Sequence, residues 1–100
     1  MEFKGTKGKW VQQWNNSDSL SIRSEEDLSK PICDLSSYYY SKRVTSFDEL
    51  RANALLISKA PEMLEELKHL VKALKAINSF GATKPIIEHA EQLIKEATEL

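Results

Sequence analysis

A run of aromatic and basic residues, Tyr38-Tyr39-Tyr40-Ser41-Lys42-Arg43, combines two side-chain types that bind nucleotides. Aromatic rings stack on bases, and cationic groups pair with phosphates. Because side chains alternate along an extended chain, Tyr39 faces away from its two tyrosine neighbours, and at least one ring leaves the core. Tyr39, Lys42 and Arg43 are therefore candidate ligand-binding residues, with core packing of the rings as an equal alternative.

Two tryptophans form a second candidate platform for a ligand. Lys9–Trp14 has the pattern of a strand, in which Trp10, Gln12 and Trp14 share one face. Such a face can stack on a planar molecule, but tryptophans on a sheet more often supply the largest parts of a core. The sequence favours core packing for Trp10 and Trp14 and leaves binding as the alternative.

Three polar residues could add an anion site. Arg51 and Asn53 follow a predicted helix start, where unpaired backbone N–H groups and partial positive charge favour a bound anion. Arg23 lies on the polar face of a predicted strand and would join them if the sheet packs against that end of the helix. These three residues complete the predicted ligand-binding set.

Residues that commonly carry catalysis occur singly in this sequence. Cys33 is the only cysteine, and His69 and His89 lie on different predicted helices without an HExxH or CxxC pattern. The sequence also contains no GxSxG, P-loop or GxGxxG motif. We expect no metal site, no cofactor and no enzymatic activity, and we interpret Cys33 as a small buried hydrophobic residue.

Composition narrows the class of partner. A net charge of -1 argues against a protein that binds duplex DNA by neutralising many phosphates. No apolar run approaches the roughly 20 residues that span a bilayer, and the start of the chain has no apolar signal-peptide segment. Hydrophobic residues at 41% and charged residues at 29% are typical of a soluble domain. We expect a cytoplasmic protein with no membrane partner.

The hydrophobic period changes near residue 45, which predicts an α+β fold in a single domain, 1–100. Residues 1–45 have the pattern of an antiparallel β-meander, and residues 46–100 that of a helical region. The three predicted strands are Lys9–Trp14, Ser19–Ser24 and Ile32–Leu35, the last with or without Tyr38–Tyr40. A sheet this small needs a helix on one face to be stable.

A capping box, Ser46-Phe47-Asp48-Glu49, predicts the first helix, whose apolar stripe is Leu50, Ala54 and Ile57. Pro61 predicts the start of a second helix, because proline is tolerated in a first turn and disrupts a helix interior. A continuous, kinked helix is the alternative.

The rest of the chain predicts an antiparallel helical hairpin. The apolar positions of its first helix are Leu64, Leu67, Val71 and Leu74, widened by Met63, Leu70 and Ile77. After a short loop, Thr83 is expected to cap a helix with the stripe Ile86, Ala90, Leu93, Ala97 and Leu100. Ile87 and Ile94 make this helix apolar on a second side. That surplus favours a homo-oligomer formed through the hairpin, with a monomer whose helices fold onto the sheet as the alternative.

Two segments resemble a known group of proteins. Leu50–Lys68 is similar to the ANAxLIxxAPExLExLK segment of many small phage and prophage accessory proteins, and it includes Asn53 and Ala60-Pro61, which amphipathicity does not require. Phe3–Trp10 resembles the GTKGxW start found in a subset of them. Most such proteins have no assigned function, so the resemblance implies a phage origin and no particular activity.

Small phage accessory proteins commonly act by occupying a host target, and the resemblance therefore implies two hypotheses. The first is a non-enzymatic binding protein that counters bacterial immunity by sequestering a nucleotide-derived signal in a homo-oligomer. The second is an inhibitor or adaptor that docks its helical hairpin on a host protein. Either would work in the host cytoplasm.

Overall fold

The computed structural model describes residues 2–16, 18–39, 42–77 and 83–99 of the chain. It confirms the predicted fold class, because a three-stranded antiparallel sheet is followed by three helices. Contacts divide the chain into two compact units, one of residues 6–61 and one of residues 62–100 with 1–5. The assignment of residues 1–100 to one domain stays a prediction.

The sheet is a meander of β1 (Trp10–Asn16), β2 (Ser19–Ser24) and β3 (Pro31–Ser36), with β2 in the centre. A local hydrogen bond joins β1 to β2, since the Asn16 side chain accepts from the Asp18 backbone N–H at 2.8 Å. The polar connection after β2 is similar, because Asp27 accepts from the backbone N–H of Ser29 at 3.0 Å. Local side-chain bonds therefore set both turns of the meander.

The tyrosine run is not part of β3. Tyr38–Tyr39 is a separate strand, β4, that pairs with β5 (Lys42–Arg43) in a two-stranded hairpin. Buried Ser37 separates β3 from β4, and its carbonyl accepts from the Val44 N–H at 2.8 Å at the other end of the hairpin. The extension of the third strand through Tyr38–Tyr40 is therefore wrong for Tyr38 and Tyr39, and Tyr40 lies outside the described residues.

Helix α1 (Phe47–Ser58) packs on one face of the meander. The predicted cap is present, since the Ser46 hydroxyl accepts from the Glu49 N–H at 3.1 Å. The helix buries Leu50 and Ala54 against Leu20 and Ile22 of β2. Alternation along β2 puts these two strand residues on one face, so the core lies between the sheet and α1.

Helix α2 (Ala60–Ile77) begins after a single residue, Lys59, that is not helical. Pro61 lies in its first turn, where a missing N–H costs no intrahelical hydrogen bond. The interpretation of Pro61 as the start of a second helix is confirmed.

Helix α3 (Lys84–Thr98) packs against α2 through a second hydrophobic cluster. The described helix ends are separated by the six positions 78–83, a connection so short that the helices run antiparallel. The cluster comprises buried Val71, Ile87 and Ile94 with half-buried Leu64, Leu67, Leu74 and Ala90. An ion pair beside this cluster also links the two helices, with Lys75 Nζ 2.6 Å from Glu91 Oε2.

Two details of α3 differ from those predicted by its sequence. Thr83 stands at the cap position, but its side chain makes no capping hydrogen bond with a described residue. The buried row is Ile87 and Ile94, whereas Ile86 and Leu93 of the predicted stripe are exposed. Both rows repeat every seven residues, so the position of α2 decides which one is buried.

Candidate ligand-binding site beside helix α1

An exposed aromatic pair marks one edge of the sheet. Trp14 pairs with Leu20 in the register of β1 and β2, which places the indole on the face that α1 covers. Phe47, the first residue of α1, stacks on it with ring centroids 5.5 Å apart and planes inclined by 22°. The side chains are 41% and 45% exposed, so part of this aromatic surface is accessible to a ligand.

Arg51 completes the aromatic–arginine cluster of Trp14, Phe47 and Arg51. It follows Phe47 by four residues on α1, which brings the two side chains to the same side of the helix. The guanidinium carbon lies 5.7 Å from the centre of the Phe47 ring, within the range of a cation–π contact. Arg51 forms no ion pair with any described residue, so its charge remains available to an anion.

A shallow groove of about 310 Å³ adjoins this cluster. Its walls are Gln12, Asp48, Arg51, Ala52 and Leu55. Its volume falls at the lower end of the roughly 300–1,000 Å³ of small-molecule sites. Gln12 offers an amide, Leu55 an apolar surface, and Arg51 a positive charge. Asp48 also lines the groove and repels anions, so Arg51 is the wall residue at which an anionic group is favoured.

In the predicted cluster on the β4–β5 hairpin, Arg43 is engaged in internal contacts. Arg43 forms an ion pair with Asp18 at 2.5 Å, and its guanidinium lies 5.1 Å from the centre of the Tyr38 ring. Hydrogen bonds to the Tyr38 hydroxyl and to Asp18 raise the pKa of Arg43 above its ordinary value. Lys42 is exposed, while the side chain of Tyr39 lies outside the described residues. Arg43 therefore connects the hairpin to the β1–β2 turn.

Arg23 and Asn53 do not join Arg51. Arg23 alternates with the core residue Ile22 and so lies on the sheet face away from α1, where its Nη1 donates to the Leu28 carbonyl at 3.0 Å. Asn53 is exposed and lies about 200° around α1 from Arg51, on the far side from the groove. The predicted convergence of these three residues is absent.

Trp10 packs against the sheet core, and its indole N–H donates to the Thr6 carbonyl at 3.0 Å. It is half-buried, whereas Trp14 of the same face is exposed at the edge of α1. Of the two tryptophans, only Trp14 contributes to the candidate site.

Sequence reasoning missed Phe47, Gln12, Asp48 and Leu55. Phe47 carries a signal in the sequence, because it is aromatic and extends the stripe of Leu50, Ala54 and Ile57 by one turn toward the start of the helix. The pairing of Phe47 with Trp14, 33 positions earlier, depends on the docking of α1. Local patterns do not encode that contact.

Groups that could support covalent or metal chemistry do not gather at this site. Cys33 packs against the sheet core, where burial, and then the charge of Asp34, raise the pKa of its thiol. A raised thiol pKa lowers the thiolate fraction and therefore the nucleophilicity. Within the described part of the chain, no three His, Cys, Asp or Glu residues cluster as metal ligands, and no helix is long and apolar enough to cross a bilayer.

The sequence of this α+β chain places it in a family of phage proteins. That family is described as Salmonella phage P22 protein Y8K6, and its model matches residues 1–99. The predicted relation to phage proteins is therefore confirmed at the level of the family, and the Leu50–Lys68 and Phe3–Trp10 motifs stay predictions. Neither a curated protein nor a solved structure matches the chain significantly.

Proposed function

We propose that this member of the phage family is a non-enzymatic binding protein for a planar, anionic ligand, a nucleotide-derived signal of bacterial immunity. The aromatic–arginine cluster carries the proposal, because it presents exposed rings and an arginine without an ion pair beside a groove of about 310 Å³. Stacking on an exposed ring contributes about 1–3 kcal/mol per base. The guanidinium can form two parallel hydrogen bonds to one phosphate.

The geometry favours a ligand that stacks on the outer surface of the aromatic pair. Trp14 and Phe47 already contact each other, so a base does not fit between them. Arg51 contacts the Phe47 ring and also lines the groove, so a phosphate bound by Arg51 would lie beside the aromatic surface on which a base could stack. The site therefore fits a ligand in which a planar ring and a phosphate are close together.

The test is thermal unfolding with a panel of ligands: adenosine monophosphate, ADP-ribose and cyclic dinucleotides. A bound ligand at one hundred times its dissociation constant stabilises the fold by about 2.7 kcal/mol. Arg51→Ala should remove that stabilisation, whereas Asn53→Ala, on the far side of the same helix, should preserve it. Absence of stabilisation across the panel, or equal loss in both variants, would count against the proposal.

The exposed apolar residues of α2 and α3 favour a second candidate function, an inhibitor or adaptor that docks the hairpin on a host protein. Capture of a host protein that survives Arg51→Ala and is lost on substitution of Leu70 would support it. A host protein lost with Arg51→Ala would instead place that contact at the groove.

A further inference from the structure

The helical hairpin carries two exposed apolar rows. On α2 the row is Met63, Leu70 and Ile77, with exposed fractions of 53%, 54% and 79%, and on α3 it is Ile86 and Leu93, at 61% and 55%. Each row repeats every seven residues, the period of helices that pack side by side in bundles.

Both rows lie on the same side of the hairpin. Leu70 precedes buried Val71 by one residue, and Leu93 precedes buried Ile94 by one residue. One residue is a rotation of about 100° around a helix. Because α2 and α3 run antiparallel, the residue that precedes a buried residue lies on the same side of the hairpin in both helices.

The opposite side of the hairpin is charged. One residue after the buried positions stand Lys72 on α2 and Lys95 on α3, both exposed. The ion pair of Lys75 and Glu91 joins the helices on this side. The hairpin therefore has one charged side and one apolar side. The apolar side is called the apolar hairpin face, and it consists of Met63, Leu70, Ile77, Ile86 and Leu93.

We infer that the apolar hairpin face binds the same face of a second copy of this chain, so that two hairpins form a four-helix bundle. The five residues expose roughly 500 Å² of mainly apolar surface, within the range of the largest patch on a monomer, and two copies would together bury roughly 1,000 Å², about the smallest area expected of a specific interface.

The period of the two rows fits a second copy of the chain as the occupant. Helices that pack side by side in bundles present apolar rows with the same seven-residue period. A second copy supplies such a row on each of its two helices, and a twofold axis brings the two faces together as a self-complementary surface. The aromatic–arginine cluster shares no residue with the apolar hairpin face, so variants of one leave the residues of the other unchanged.

The experiment measures the mass of the full chain in solution by light scattering and sedimentation equilibrium. We expect twice the 11.4 kDa of one chain at micromolar concentration. The double variant Leu70→Glu/Leu93→Glu should be a monomer with unchanged helical circular dichroism. Leu56→Glu, which charges an exposed leucine on α1, is the matched control and should stay dimeric.

A second measurement protects the test if the double variant fails to fold. The thermal midpoint of the unmodified chain should rise as its concentration increases from about 1 to about 100 µM, because mass action favours a folded dimer. An unmodified chain that is monomeric throughout, or a double variant that stays dimeric, would overturn the inference. Capture of a monomer by a host protein through Leu70 and Leu93 would assign the face to that protein and equally overturn it.

Discussion

Asp27 shows how one exposed carboxylate organises the connection between β2 and β3. Its Oδ1 accepts from the Ser29 hydroxyl at 2.6 Å and from the Ser29 backbone N–H at 3.0 Å. These two hydrogen bonds lower the pKa of Asp27 below its ordinary value, and the bond from the Ser29 hydroxyl has the larger effect. The Asp27 backbone carbonyl in turn accepts from the Lys30 N–H at 2.9 Å, which closes the turn.

Removing the hydroxyl should shift the titration of this carboxylate. We expect Ser29→Ala to raise the pKa of Asp27 toward the ordinary value of about 3.9, measured by NMR as pH is varied. Because the folded pKa is lowered, the stability that Asp27 contributes is present above the unfolded value and is lost as pH falls through the folded value. Ser19→Ala is the control, and an Asp27 titration identical in both variants would contradict the assignment.

Arg43 and Arg51 show that residue type alone does not define a binding site. Both guanidinium groups lie over an aromatic ring, at 5.1 and 5.7 Å. Arg43 also has Asp18 as an ion-pair partner, whereas Arg51 faces an open groove. The difference in partners, and not the shared aromatic contact, makes Arg51 the better anion-binding candidate.

At the scale of the element, the two helix starts provide a matched comparison. Ser46 accepts a hydrogen bond from the Glu49 N–H, and the Thr83 hydroxyl makes no such bond at the start of α3. We expect Ser46→Ala to reduce the free energy of unfolding by about 1 kcal/mol and Thr83→Ala to reduce it by less. Urea titration of both variants measures the difference, and an equal or larger loss for Thr83→Ala would contradict it.

Strand β2 could be predicted completely from the sequence, and so could the order of the three meander strands and the three helices. Ser19–Ser24 alternates polar and apolar residues between two turns, which is sufficient local information. Helix α1 is similarly marked by its capping sequence and stripe. These features depend on neighbours a few residues apart, so no tertiary contact is needed to recognise them.

The hairpin of β4 and β5 and the buried row of α3 could not be predicted in the same way. Tyr38–Tyr39 leaves β3 because Ser37 lies between them and bonds to the chain beyond β5. On α3, Ile87 and Ile94 have the same spacing as Ile86 and Leu93. Which row is buried depends on the contact with α2, and the sequence of α3 alone does not predict that contact.

The aromatic–arginine cluster was predictable only in part, for the same reason. Trp14 and Arg51 were recognised by their residue types, and the sequence placed them near a strand face and a helix start. Phe47 joins them only after α1 docks on the sheet. The site is therefore a product of tertiary packing.

At the scale of the whole molecule, adjacent residues of α3 serve two different surfaces. Ile94 is buried between α2 and α3, whereas Leu93 is more than half exposed on the apolar hairpin face. A substitution at Ile94 should therefore affect the fold of each copy. A substitution at Leu93 should affect chiefly the association of copies.

Two alanine variants separate these surfaces. We expect Ile94→Ala to lower the free energy of unfolding by about 2–5 kcal/mol through lost burial and the cavity left behind. Leu93→Ala should leave the stability at low protein concentration nearly unchanged and reduce the rise of the thermal midpoint with concentration. Calorimetry over a range of concentrations measures both effects. If Leu93→Ala destabilised the dilute protein as much as Ile94→Ala, Leu93 would belong to the fold of a single chain, and the separation of the two surfaces would fail.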